Sequence, residues 1–195
     1  MENTNFLYDD VAALVPLTAE HVPDMVKWVN DPAVIHFLMI PGNLTTDQEM
    51  QWLERVRNDQ SQIVMGIVER EGGKYVGNIG LHNISRRNSH AEYGIFIGER
   101  EFWGRGIGTS AGRLIIDHGF NTLNLNRIFL RVYAFNERGI ACYKKLGFTE
   151  EGRLRGHVFK DGRYHDEVMM GVLRDEWNER WKEWRARQRK RYGIE

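Results

Sequence analysis

One cysteine, Cys142, stands in 195 residues. That excludes an internal disulfide and any metal centre built on clustered thiolates. No apolar run reaches the roughly 18 residues that a bilayer-crossing helix needs. The first ten residues are polar and acidic and do not read as a secretory signal. These absences place the chain in the cytoplasm, with no membrane and no metal. Neither sign of charge is in excess, at 27 basic and 27 acidic residues, so the balance says nothing for nucleic acid. One stretch, RARQRKR at 185–191, carries five bases and no acid. It reads as a solvated helix end, where cations suit the helix dipole, with a surface for an acidic partner such as nucleic acid as the lesser reading. With only 4 prolines and no repeat, linker or low-complexity tract, the chain reads as one domain over 1–173. An amphipathic helix and basic tail follow over 174–195.

What is present alternates between two periods. Residues 11–17 read as a strand. Thr18 caps a helix to about Asn30, with Val22, Met25, Val26 and Val29 on one face. The pair Asp31-Pro32 stops it. Thr45 and Gln48 form a capping box for a helix to about Asn58. Strands follow at 62–69 and 74–81 around Gly72-Gly73, then at 91–98. A helix over 109–123, a strand over 127–134 and a helix over 137–146 come next, with Gly147 in the left-handed position after the last. Asp161-Gly162 turns a hairpin within 158–169. From Arg174 a final helix carries Leu173, Trp177, Trp181 and Trp184 at spacings of four, four and three. Such a stripe packs into a core; a homodimer contact is the other use of so many tryptophans. This order suits an α/β mixed sheet with helices on both faces.

The most informative stretch is EREFWGRGIGTSAG at 99–112, which follows a strand and opens a helix. Alternate glycines let successive N–H groups point at one anion, aided by the helix N-terminus. A diphosphate is the implied ligand. Residues 106–111 also match the dinucleotide fingerprint G-x-G-x-x-G/A. That reading wants the first glycine directly after the strand and an acid about 20 residues on. Here residues 99–104 intervene, and the strand 127–134 holds no acid. The pattern of a P-loop is missing as well.

Residues 103–108, WGRGIG, resemble motif A of the GNAT superfamily, R/Q-x-x-G-x-G/A, with Trp103 departing at the first position. NERGIACYKKLGF at 136–148 resembles motif B, with Gly139 where alanine is usual. The segment 151–177 is similar to the C-terminal hairpin of RimJ/RimL-like enzymes and of spermidine N-acetyltransferases. The resemblance spans about residues 11–177. It implies the GNAT fold, a mostly antiparallel sheet of six to seven strands splayed between 91–98 and 127–134. It also implies acetyl-CoA as co-substrate. The main chain at Phe96, Ile97 and Gly98 would pair with the pantetheine arm. Trp103, Gly104, Arg105, Gly106, Ile107, Gly108 and Thr109 would hold the pyrophosphate. Asn136, Arg138, Tyr143 and Lys145 would complete the cofactor site.

The implied reaction is transfer of acetyl from sulfur to a primary amine by direct attack in a ternary complex. Tyr143 is the expected acid for the leaving thiolate, by resemblance. Glu92, on the same strand face as Gly94 and Phe96, is the expected base, with His82 and His90 behind it. Cys142, next to Tyr143 on a helix, is expected to face elsewhere. His36, Asn83, Arg86 and Arg87 are expected to line or rim the acceptor groove. A peptide N-terminus, a polyamine, and an amino sugar or amino acid compete as acceptor, with the first favoured. Binding of acetyl-CoA without turnover is the non-enzymatic alternative.

Overall fold

The computed structural model describes residues 7–40 and 42–194. The first six residues of the polar N-terminal stretch lie outside that description. Strands β1 (Leu7–Tyr8) and β2 (Ala12–Pro16) lead into helix α1 (Val22–Val29), a helical turn α2 (Pro32–Ile35) and helix α3 (Thr46–Asn58). Three antiparallel strands follow: β3 (Ile63–Glu69), β4 (Tyr75–Ser85) and β5 (His90–Ile97). Helix α4 (Ile107–Asn121), strand β6 (Arg127–Tyr133) and helix α5 (Glu137–Leu146) come next. The chain ends with β7 (Thr149–Lys160), β8 (Arg163–Leu173), α6 (Arg174–Arg180) and α7 (Lys182–Arg191).

One sheet of eight strands runs in the order β1-β2-β3-β4-β5-β6-β8-β7. The strand beyond the expected six to seven is the two-residue β1. Every neighbouring pair is antiparallel except β5 and β6, which pair only at His90–Arg127, Ala91–Ile128 and Glu92–Phe129. Beyond Glu92 the two strands part, and the sheet opens into a V. Helices cover both faces. Met65, Ile67, Val76 and Ile79 pack with α4 in the larger core, which also takes Ile140 and Tyr143 of α5. Val64 and Tyr75 point the other way, onto Val22, Met25 and Leu53 of α1 and α3.

Local signals were honoured where local chemistry decides. Gln48 N–H donates to Thr45 Oγ1 at 3.3 Å, and Thr45 N–H to Gln48 Oε1 at 2.8 Å. Gly147 sits at φ +106° past α5. The Glu69 carboxylate organises the Gly72-Gly73 turn by accepting from the N–H groups of Glu71, Gly72 and Lys74.

The C-terminal stripe departs from expectation. The helix breaks at Trp181, and Leu173 lies 40% exposed. Leu173 flanks the helix in extended backbone (ψ 155°), so helical spacing does not apply to it. The tryptophans pack within the chain. Trp177 is fully buried against Phe120, and its indole N–H donates to Asp117 at 3.2 Å. Trp181 N–H (Nε1) donates to the Leu146 carbonyl at 3.2 Å. Arg185 of the basic tail pairs with Asp117 at 2.9 Å, and Arg191 with Asp10 at 2.7 Å. Among the described residues no helix is long and apolar enough to cross a membrane.

Candidate active site

Two cavities, of about 320 and 590 Å³, meet in the V. Tyr143, Asn136, Ile95 and Phe96 line both. The smaller reaches the N-termini of α4 and α5; the larger opens on the α1/α3 face of the sheet. Phe37 and Leu38 wall both cavities, held by Tyr133 Oη–H and the Lys160 ammonium on the Leu38 and Ile35 carbonyls.

Helix α4 begins on Gly106, which takes φ +82°, after Gly104 at φ +75°. A side chain at either would be strained, while space around both is open. The first N–H groups of α4 have no partner one turn back; Ser110 N–H is the first to find one, the Gly106 carbonyl at 3.0 Å. Gly104, Gly106, Ile107, Gly108 and Thr109 all line the smaller cavity. A helix start of this kind suits an anion.

Along β5, antiparallel alternation decides which main-chain groups face the V. Gly98 N–H donates to the Val76 carbonyl at 2.8 Å, so Ile97 and Ile95 turn their amides to the open side. Phe96 turns its carbonyl toward β4, 2.2 Å from where a β-carbon on Gly77 would lie. Phe96 therefore offers the cavities its side chain rather than its main chain. Gly98 does not line them: its N–H is spent, and a β-carbon there would stand 2.0 Å from the Trp28 ring. Arg105 also points elsewhere, over the Phe102 ring at 4.9 Å and toward Glu71 at 3.7 Å.

Trp103, the departure from motif A, donates its indole N–H to the Ile97 carbonyl at 2.7 Å. The Arg138 guanidinium stacks 4.0 Å from its ring centre. Asn136 caps α5, accepting from Gly139 N–H at 2.9 Å. A β-carbon at 139 would crowd that side chain at 2.7–2.9 Å, which accounts for glycine there. The Asn136 amide N–H₂ remains for a ligand. Lys145 lines the smaller cavity.

The Tyr143 ring packs edge-on to Tyr93 and Phe148, at 6.0 and 6.1 Å. Burial pushes its phenol well above the usual value, so it stays protonated at neutral pH. Cys142, contrary to expectation, does line the smaller cavity. Its thiol sits 3.4 Å from Thr109 Oγ1, and burial pushes it up as well. Among the described residues no base stands beside it, and it is a poor nucleophile.

Glu92 lies on the floor of the larger cavity. Its two oxygens accept from Arg131 Nε at 3.0 Å and Asn83 Nδ2 at 3.1 Å. A bulge between His82 and Ser85 and a left-handed Asn83 (φ 51°) bring that amide over. His82 lines the same cavity, as does Asn83. His36, Arg86 and Arg87 do not; His36 faces Asp161 at 3.4 Å.

Just past β5, Glu99 fixes the start of the glycine-rich loop. It accepts from Lys27 at 2.5 Å, the Trp28 indole at 3.0 Å and Lys74 at 3.3 Å. The Lys27 hydrogen bond is the main reason its carboxyl is held down at about 2. Its stabilisation is present above the unfolded carboxyl range near 4.5 and lost as pH falls through about 2. Glu99→Gln should cost about 1–2 kcal/mol at pH 7, since both lysines are about half exposed or more. Chemical denaturation should show mutant and wild type converging toward pH 2; a gap unchanged there would contradict the assignment.

A sheet split beside a glycine-rich helix start, with a half-buried tyrosine at the fork, is the setting of an acyl-CoA-dependent transferase. Residues 12–149 match the family described as Acetyltransferase (GNAT) domain, and the chain belongs to that family. It is 39% identical over 171 residues to the putative ribosomal N-acetyltransferase YdaF of Bacillus subtilis, covering 86% of this chain and 88% of that one. It is 36% identical over 111 residues to the spermidine N(1)-acetyltransferase of Escherichia coli, covering 57% and 59%. A solved spermidine N-acetyltransferase from Vibrio cholerae, in complex with CoA and spermine, shares the fold at a TM-score of 0.81 and 22% identity, over 87% of this chain and 99% of that one. The protein is thus an acetyl-CoA-dependent N-acetyltransferase.

Proposed function

We propose that the chain acetylates a peptide N-terminus. Acetyl-CoA would lie in the V, its pantetheine along Ile95 and Ile97 and its pyrophosphate on the amides that open α4. Arg138 and Lys145 stand at the same cavity for its phosphates. The acceptor would enter the larger cavity and reach the thioester beside Tyr143.

The observation that carries this reading is the charge inventory of the larger cavity. Its carboxylates are Asp59 and Glu92, and its fixed cation is Arg131. Glu92 is paired with Arg131, and Asp59 already accepts from Ser61 and Gln62. Phe37, Leu38, Met39, Ile40 and Trp52 supply apolar wall, and Asn78, Asn83 and Gln62 supply neutral amides. A polyamine would bring several charges, and of the two carboxylates here only Asp59, hydrogen-bonded to neutral groups, is without a paired cation among the described residues. A peptide N-terminus brings one amine on a neutral backbone, which amides and apolar surface suit.

The ammonium of the acceptor must lose a proton before it attacks. As the carbon–sulfur bond breaks, Tyr143 gives its proton to sulfur. It regains one from the nitrogen of the forming amide. One displaced proton thus ends on the thiol and the other in solvent. Incubation of acetyl-CoA with N-terminal peptides and with spermidine, read by mass spectrometry, tests the acceptor. Peptide acetylation at the α-amine is expected. Acetylation of spermidine in preference to every peptide would overturn the assignment.

A further inference from the structure

The floor of the larger cavity carries two glycines side by side, Gly80 on β4 and Gly94 on β5, which are register partners. Glycine inside a strand weakens it and marks a close approach. At Gly94 the approaching group is an imidazole; at Gly80 it is the Ile63 carbonyl, 2.8 Å from where a β-carbon would lie, with the same imidazole next. A β-carbon on Gly80 would lie 3.0 Å, and one on Gly94 3.3 Å, from Nε2 of His82.

The other ring nitrogen is held by a chain of hydrogen bonds. His82 Nδ1 lies 3.0 Å from Gln62 Oε1. Gln62 Nε2 donates to Asp59 Oδ2 at 2.7 Å. Asp59 Oδ1 accepts from the N–H and the hydroxyl of Ser61, at 2.8 and 2.7 Å. Ile84 N–H donates to the Ser61 carbonyl at 2.8 Å and ties this segment to β4. A reversed Gln62 amide would set its carbonyl against a carboxylate, acceptor against acceptor. Oε1 therefore faces His82, and Nδ1 carries the proton. Nε2 is left with a lone pair, and no described protein group donates to it.

We infer that His82 is the base that deprotonates the acceptor ammonium, with Gln62 and Asp59 as positioning residues that hold its tautomer. The inference rests on the larger cavity being the acceptor side. Nε2 takes the proton from nitrogen directly or through one water, and the imidazolium later releases it to solvent. The Nδ1–H bond to Gln62 serves both the neutral and the charged ring. Glu92, expected from the sequence to be the base, is instead committed to Arg131 and Asn83. The groups facing His82 are Glu92 on β5, the Arg131 partner from β6, Asp59 and Gln62 after α3, and apolar Val64 on β3. Burial pushes the imidazole below 6.5, against the pull of Glu92, so it is neutral at pH 7.

Two measurements test this. In long-range proton–nitrogen spectra of the ¹⁵N-labelled, ligand-free protein, His82 should be the Nδ1–H tautomer, and Asp59→Asn should mix the tautomers. An Nε2–H tautomer in the wild type overturns the proposal without any acceptor. With the acceptor turned over fastest in the panel above, kcat should fall on the acid side below pH 6.5. His82→Gln should remove that limb and lower kcat roughly 100-fold at pH 7. Asp59→Asn should lower it about 10-fold, through tautomer loss, with KM for acetyl-CoA unchanged in both. A limb that persists in His82→Gln and vanishes in Glu92→Gln overturns the assignment. If no amine in the panel is acetylated, the acceptor reading fails, while the tautomer spectra still decide the hydrogen-bond chain.

Discussion

Gly106→Glu should abolish measurable binding of coenzyme A. Gly106 holds φ +82°, where a β-carbon costs about 1–2 kcal/mol. The larger effect is electrostatic. A glutamate there carries its carboxylate to the orphan N–H groups of Ile107, Gly108 and Thr109, which the pyrophosphate needs, and repels the ligand's own charge. A loss of at least about 100-fold in affinity follows from those two effects together. Gly106→Ala separates them. Space around the position is open, so alanine meets only the backbone strain and should lose about 5–30-fold. Calorimetric titration with coenzyme A, on variants checked for cooperative melting, reads both. Binding by Gly106→Glu within a few-fold of wild type would refute this position for the pyrophosphate.

Tyr143→Phe should leave coenzyme A affinity intact and lower kcat by about 10–100-fold. The ring contacts with Tyr93 and Phe148 survive the change, so the fold should too. What is lost is the one titratable group, among the described residues, that lines both cavities. Because burial pushes this phenol up, wild type should keep its donor through neutral and moderately alkaline pH. Wild-type turnover in the phenylalanine variant would remove Tyr143 from the chemistry and leave it as packing.

The features legible in the sequence were those that a few adjacent residues decide. The Thr45–Gln48 capping box, the turn past α5 at Gly147 and the glycine spacing at 104–108 are backbone requirements. They show through composition. The alternation of β5 was legible as well, but not which of its amides are already spent. That depends on Gly98 pairing with Val76 on another strand, and it moves the open main-chain groups to Ile95 and Ile97. Gly98 looked like a ligand contact and is a packing necessity under Trp28, 70 positions away in sequence. Arg105 looked like a phosphate ligand because of its neighbours, but its side chain follows Phe102 and Glu71. Cys142 faces the cavity because the N-terminus of α4 approaches α5 there, which helical periodicity alone does not reveal. The Asp59–Gln62–His82 chain joins a loop after α3 to the end of β4. Its traces in the sequence were His82 itself, a base candidate behind Glu92, and the glycine inside β5, Gly94, where a β-carbon would crowd the imidazole.

Direct attack within a ternary complex is the central claim about the reaction. Initial rates of thiol release over a matrix of acetyl-CoA and peptide concentrations test it most directly. Intersecting double-reciprocal lines are expected, with Cys142→Ala giving the same pattern, because among the described residues no base stands beside the half-buried thiol to activate it. Parallel lines, with an acetyl group trapped on Cys142 in the absence of peptide, would contradict it.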